Sequence, residues 1–145
     1  MKAFVAALLL AAAAPLLQAQ TLDTPVGVWK TIDDETHQAK SLVHIVDQGG
    51  VLTGRIEKLL DPAKQDAKCE KCSDARKDQP VLGMTILEGV KKHADEPYWD
   101  GGKILDPNNG KTYRVRLTPM DGGKELQVRG YFGPFYRNQV WQRVE

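Results

Sequence analysis

The chain has 145 residues, with 20 Lys and Arg against 19 Asp and Glu. Lys2 is the only charged side chain within residues 1–19, so the remainder carries equal numbers of basic and acidic groups. This neutrality argues against nucleic acid as a partner, because binding to a phosphate backbone requires a basic excess. The length of the remainder suits one small domain.

The beginning of the chain has the features of a secretory signal peptide. Lys2 precedes an apolar run from Ala3 to Ala14, and the small residue Ala19 suits a cleavage site. The run is too short to span a bilayer and no second long apolar run follows, so we expect no transmembrane segment. The sequence therefore predicts a signal peptide at 1–19 and one domain at 20–145, in a periplasmic or secreted protein.

The part of the chain after residue 26 favours strands. All 13 glycines lie there, whereas alanine is concentrated in the first residues, so turn formers replace helix formers. Apolar and polar residues alternate in runs separated by turn signals. The strands are predicted at 27–32, 41–47, 51–60, 81–89, 98–105, 112–118, 126–132 and 138–144.

The connection at 61–80, between the third and fourth predicted strands, is long and contains both cysteines, Cys69 and Cys72. A loop of this length is commonly functional or covalently stapled. The pair could form a structural disulfide, bind a metal or act in redox chemistry. An oxidising compartment favours the disulfide, zinc would need two further ligands, and redox pairs usually begin a helix. We therefore expect a disulfide, no metal site and no cofactor.

An antiparallel meander of about eight strands can form a sandwich or a closed barrel. Closure removes exposed strand edges, which favours the barrel. The predicted fold class is therefore all-β, a single antiparallel barrel with one long loop between its third and fourth strands. The interior of an eight-stranded barrel is just wide enough to be filled by side chains or to hold one small ligand.

Short motifs are spread in order along nearly all of the chain after residue 26. They are Gly27-Val28-Trp29, Leu52-Thr53-Gly54-Arg55-Ile56, Trp99-Asp100-Gly101-Gly102-Lys103-Ile104-Leu105-Asp106-Pro107, Asn109-Gly110-Lys111-Thr112-Tyr113, Val128-Arg129-Gly130-Tyr131 and Gln139-Val140-Trp141. Together they resemble the exported bacterial family known as domain of unknown function 2147. The resemblance implies a lipocalin-like barrel with a central pocket, and it implies no established activity.

The first and last strands carry a second resemblance. Gly27-Val28-Trp29 is similar to the Gly-x-Trp signature of lipocalins, and Arg143 could supply the arginine that packs over that tryptophan. The first and last strands of a closed barrel are neighbours, so a cation over an indole ring is physically sensible there.

The candidate ligand-binding residues are Trp29, Tyr113, Arg129 and Tyr131. Alternation along the sixth strand points Tyr113 towards the interior. The same alternation on the seventh strand leaves Arg129 and Tyr131 outside, unless a bulge at Gly130 turns them towards the barrel mouth. An arginine near aromatic rings at a mouth could hold a carboxylate.

These residues predict a monomeric barrel that binds a small apolar or amphipathic ligand, with a carboxylate as the candidate head group. The alternative is a non-catalytic structural or interaction domain of the cell envelope, with a barrel filled by side chains. We do not expect an enzyme, because the sequence contains no nucleophile–base set and no metal-binding spacing.

Overall fold

The computed structural model describes residues 13–15 and 23–145. The predicted signal peptide lies outside this part of the chain, apart from 13–15. Eight antiparallel strands follow one another around a closed barrel, in which each strand pairs with the next and the last pairs with the first. The predicted fold class is confirmed, including the long loop between the third and fourth strands.

The strands alternate in direction, so their connections fall at two opposite ends of the barrel. The strands are β1 Gly27–Ile32, β2 Ala39–Gln48, β3 Val51–Leu59, β4 Thr85–Lys92, β5 Trp99–Asp106, β6 Lys111–Met120, β7 Glu125–Phe132 and β8 Phe135–Arg143. Two short 3-10 turns, Pro62–Lys64 and Asp121–Gly123, lie between strands. No helix in the described part of the chain is long and apolar enough to cross a membrane.

The closed end of the barrel contains the start of β1 and the end of β8. Trp29 is fully buried and donates a hydrogen bond from Nε1 to the carbonyl oxygen of Pro25 at 2.7 Å. The guanidinium of Arg143 lies 4.3 Å from the centre of the Trp29 ring. The expectation that Arg143 packs over Trp29 is confirmed.

Arg143 also ties the closed end together through the backbone. Its guanidinium donates hydrogen bonds to the carbonyl oxygens of Thr24, Val26 and Gly123 at 2.6, 2.7 and 2.6 Å. Burial lowers the pKa of this guanidinium. Fully buried side chains fill the adjoining interior, namely Val43, Ile45, Leu52, Leu87, Val90, Val115, Leu117 and Leu126.

The fourth strand begins at Thr85, so its predicted start at Val81 is wrong. Gly83 adopts a φ of +85°, which turns the chain out of the extended conformation before the strand begins. Val81 and Met84 are nevertheless buried against the core. The apolar character of this run therefore reflects a loop that packs onto the barrel.

The eighth strand begins at Phe135, earlier than the predicted start at Asn138. Phe132 and Phe135 face each other across the two-residue Gly133-Pro134 connection. Gly133 has a φ of +57°, the backbone conformation that tight hairpins use at this place. The dipeptide is thus a hairpin turn, and the strand includes Arg137.

The long loop is stapled and docked against the barrel. Cys69 and Cys72 form a disulfide, and both are buried. The backbone N–H of Cys69 donates to the carbonyl of Gln79 at 2.9 Å. The loop also approaches the β5–β6 turn so closely that a Cβ on Gly110 would overlap the carbonyl oxygen of Lys71. The expected disulfide is therefore present and helps to hold one wall of the open end.

Candidate ligand-binding cavity

The open end of the barrel is formed where β1, β3, β5 and β7 end and the even-numbered strands begin. A cavity of about 480 Å³ enters the barrel there. This volume lies within the range of about 300–1,000 Å³ that is usual for small-molecule sites. The apolar and aromatic residues that line it are Ile56, Leu59, Ala67, Val81, Ile86, Ile104, Leu105, Pro107, Tyr113, Val128, Phe132, Phe135, Tyr136 and Trp141.

A chain of hydrogen bonds runs along one wall of the cavity. The indole Nε1 of Trp141 donates to Oε1 of Gln139 at 2.9 Å, and Nε2 of Gln139 donates to Oδ1 of Asp34 at 3.2 Å. Arg137 donates to both oxygens of Asp34, at 3.0 and 2.7 Å. Because residues 137, 139 and 141 alternate along β8, they share the strand face that lines the cavity.

The electrostatics of this wall favour the ionised pair. Partial burial raises the pKa of Asp34, but the hydrogen bonds from Arg137 and Gln139 outweigh it and hold that pKa below its usual value. The hydrogen bond with Asp34 raises the pKa of Arg137. The mouth therefore carries a charged carboxylate–guanidinium pair at neutral pH, with the Arg137 side chain 53% exposed.

Three further hydroxyl groups face the cavity, those of Tyr113, Thr31 and Ser41. The hydroxyl of Tyr113 accepts a hydrogen bond from Nδ2 of Asn109 at 2.8 Å. With one lone pair occupied, this hydroxyl still has its own proton to donate to a ligand acceptor. Thr31 and Ser41 bond to each other through their hydroxyl oxygens at 2.9 Å, so this pair is already satisfied.

The rim of the cavity carries charges of both signs. The acidic side chains Asp33, Asp61 and Asp106 each accept a backbone N–H from their own loop, at 2.8–2.9 Å. The lysines of the rim, Lys40, Lys64, Lys68 and Lys111, form none of the ion pairs found in the described part of the chain. The loops thus hold the acidic side chains through backbone hydrogen bonds, whereas the ammonium groups of the four lysines remain available for contacts with an anion.

The four predicted ligand-binding residues do not lie together. Tyr113 lines the cavity, whereas Trp29 lies in the packed core at the opposite end. The pairing of β7 with β6 and β8 is regular through Gly130, so no bulge turns the chain there. Arg129 and Tyr131 are not among the residues that line the cavity. Contact of these four residues with a ligand stays a prediction.

Sequence reasoning missed Arg137, Gln139 and Trp141 as cavity residues. The sequence does contain a signal for them, because the two-residue period of a strand places residues 137 and 139 on the same face as Trp141. Starting the last strand at Asn138 removed Arg137 from that pattern. The two-residue Gly133-Pro134 hairpin is the feature that would have corrected the boundary.

An eight-stranded antiparallel barrel with a tryptophan–arginine stack at one end and a cavity at the other is a lipocalin-like barrel. A structure search finds a protein from Helicobacter pylori described as "Protein HP1028 from the human pathogen Helicobacter pylori belongs to the lipocalin family". The match has a TM-score of 0.70 at 20% identity and covers 83% of this chain and 82% of that one. At this identity the likeness shows the fold alone.

The family model of an uncharacterized protein conserved in bacteria, domain of unknown function 2147, matches residues 27–143. The chain belongs to this family, which confirms the resemblance in its short motifs. No curated protein matches the chain.

Proposed function

We propose that the protein is an exported carrier or receptor that binds one small amphipathic molecule in the open end of its barrel. The observation that carries the proposal is the cavity of about 480 Å³, lined mainly by apolar and aromatic side chains. A barrel that is filled by side chains would leave no such space, so this volume favours binding over the purely structural alternative.

The lining favours a ligand with an apolar body and a polar or acidic head group. Val128 and Trp141 contribute apolar contacts on the β7–β8 wall. The head group would lie towards the rim, where the Tyr113 hydroxyl can donate a proton and Lys40 and Lys111 can approach an anion. Such a ligand satisfies the polar groups at the mouth without burying a charge among apolar side chains.

The proposal is binding without catalysis. Of the described residues, those that line the cavity include neither His nor Cys, and the hydroxyl of Ser41 is bonded to Thr31. Export to the periplasm or the medium is part of the proposal, supported by the signal-like beginning of the chain and by the Cys69–Cys72 disulfide, which oxidising compartments favour.

The test uses 1-anilinonaphthalene-8-sulfonate, a fluorescent probe that combines apolar rings with an anionic group. Gly130 lines the cavity, and a Cβ there would meet Tyr113 at ordinary contact distances of 3.5 and 3.6 Å. We expect Gly130→Leu, which fills the space, to weaken probe binding by about tenfold or more, through lost volume and apolar contact. Gly130→Ala is the matched control and should bind nearly as the wild type does.

Trp141 supplies an internal readout, because it lines the cavity whereas Trp29 does not. Energy transfer to the bound probe should fall in Trp141→Phe and persist in Trp29→Phe, provided that both variants unfold cooperatively. Equal binding by the folded Gly130→Leu and Gly130→Ala variants would contradict a site in this cavity.

A further inference from the structure

The three strands β6–β8 give the barrel a basic side. They contain six basic residues and one acidic residue, Glu125. Three of the basic residues lie on the outer face, namely Arg114, Arg116 and Arg129, whereas Lys111, Arg137 and Arg143 lie on the inward face. Because the chain after residue 19 is neutral overall, the rest of the barrel carries the compensating acidic excess. The basic side includes Arg129 and Tyr131, which sequence reasoning had placed at the ligand site.

Three arginines and two tyrosines lie together on the outer face of this side. Arg116 and Arg129 are direct cross-strand partners, and Arg114 pairs in the same way with Tyr131. Tyr131 in turn pairs with Tyr136. We call these five residues the arginine–tyrosine face.

Each guanidinium of the face lies against an aromatic ring. The distances to the ring centres are 5.5 Å for Arg114 over Tyr131, 3.9 Å for Arg116 over Tyr98 and 4.3 Å for Arg129 over Tyr136. None of the three arginines takes part in the ion pairs found between residues 23 and 145. Like charges placed opposite each other on a sheet destabilise it, which applies to Arg116 and Arg129. A bound anion would offset this repulsion.

Two exposed apolar rings lie at the open end of the same strands, at the positions next to Tyr131 and Tyr136. The β7–β8 hairpin ends in Phe132 and Phe135, which are 60% and 73% exposed. Both rings also line the mouth of the cavity, and the ammonium of Lys111 lies 5.6 Å from the Phe132 ring centre. Large apolar rings beside cationic groups suit the boundary between lipid headgroups and acyl chains.

We propose that the arginine–tyrosine face and the hairpin tip dock the protein onto a bilayer that contains anionic phospholipids. The arginines bind lipid phosphates, and Phe132 and Phe135 enter the boundary with the acyl chains. A soluble polyanion would match the arginines but would leave the two phenylalanines exposed to water. Docking in this way turns the mouth of the cavity towards the lipid surface. The inference does not depend on the proposed cavity ligand.

The test is sedimentation of the full-length mature protein with vesicles of phosphatidylcholine, with and without phosphatidylglycerol. We expect binding to the anionic vesicles, little binding to the neutral ones, and weaker binding as salt is raised. The triple variant Arg114→Gln, Arg116→Gln and Arg129→Gln should lower partitioning roughly a hundredfold, since each basic residue near an anionic surface contributes about fivefold.

The matched control removes three exposed basic charges elsewhere on the barrel, with Arg55→Gln, Lys58→Gln and Lys91→Gln. Its partitioning should stay within about threefold of the wild type, because docking depends on local contacts as well as net charge. Equal losses in the two triple variants would overturn the proposal. Should the Arg triple variant fail to fold, the single variant Arg129→Gln should still lose about fivefold.

The double variant Phe132→Ser and Phe135→Ser separates a membrane from a soluble polyanion. We expect at least a tenfold loss of vesicle binding, through the lost apolar contact. Undiminished vesicle binding by this variant, together with equally tight binding of inorganic polyphosphate, would show an anion-binding face and contradict membrane docking. Failure of the folded wild-type protein to bind anionic vesicles would contradict it as well.

Discussion

Two arginines on the same face of β8 show how differently the two ends of the barrel are built. Arg143, at the closed end, lies over the Trp29 ring and donates to three backbone carbonyls. Arg137, at the open end, is half exposed and pairs with the carboxylate of Asp34. The first holds fixed backbone groups, whereas the second holds a side chain that a ligand could replace. One strand therefore contributes stability at one end and part of the proposed binding surface at the other.

The largest expected difference between the ends comes from truncating an aromatic side chain. Trp29→Ala should lower the free energy of unfolding by about 3–5 kcal/mol, because it empties a fully buried site. Phe135→Ala should change it by less than about 0.5 kcal/mol, since that ring is 73% exposed. Urea denaturation followed by circular dichroism measures both values. Similar losses in the two variants would contradict the difference between the two ends.

The arginines themselves provide the next test. Arg143→Gln should lower the free energy of unfolding by about 2–3 kcal/mol, because it leaves several partly buried carbonyl groups without their donor. Arg137→Gln should cost less than about 1 kcal/mol, because its ion pair is screened by solvent. The same denaturation experiment applies, and the reverse order of the two losses would be the contradictory outcome.

The disulfide is expected to have an intermediate effect. The double variant Cys69→Ala and Cys72→Ala should lower the free energy of unfolding by about 2 kcal/mol. The loss is modest because the bond closes a short loop and so removes little entropy from the unfolded chain. The loop should also become more sensitive to proteolysis between 60 and 84, because the disulfide no longer constrains it. This segment includes Ala67 and Val81, which form part of the cavity wall. Limited proteolysis with mass analysis of the fragments identifies the sites. Cleavage elsewhere first would argue that the disulfide supports another region.

The smallest expected effect is the pH dependence of the Asp34–Arg137 pair. The pKa of Asp34 in the folded protein lies below its usual value of 3.8, so the pair stabilises the fold above that pH. The contribution is lost as pH falls through the lowered pKa. We expect the free energy of unfolding of the wild type to exceed that of Asp34→Asn by about 0.5 kcal/mol at neutral pH and by nearly nothing in strong acid. A difference that grows in acid would contradict this assignment.

Much of the barrel could be predicted because strands leave a two-residue period in the sequence. Alternation placed Tyr113 inside, and the Cys-x-x-Cys spacing together with the predicted export indicated the disulfide. The Trp29–Arg143 stack followed from barrel closure and a lipocalin resemblance, since the first and last strands then become neighbours.

The site was harder to predict, because local alternation does not reveal where the interior is empty. Trp29 and Trp141 are both inward aromatic residues, yet only Trp141 borders the cavity. The difference depends on which side chains from the other strands fill the space beside each ring. The start of β8 mattered as well, because a strand boundary misplaced by three residues left Arg137 out of the alternating pattern that lines the mouth.

Native mass spectrometry of protein purified gently from the periplasmic or secreted fraction, where the proposed export would place it, tests the central claim most directly. The same protein refolded from denaturant serves as the comparison. We predict a reproducible additional mass in the gentle preparation that is lost on refolding and that Gly130→Leu fails to retain. A bare polypeptide mass in both preparations, together with no binding of the fluorescent probe, would contradict a ligand-binding cavity.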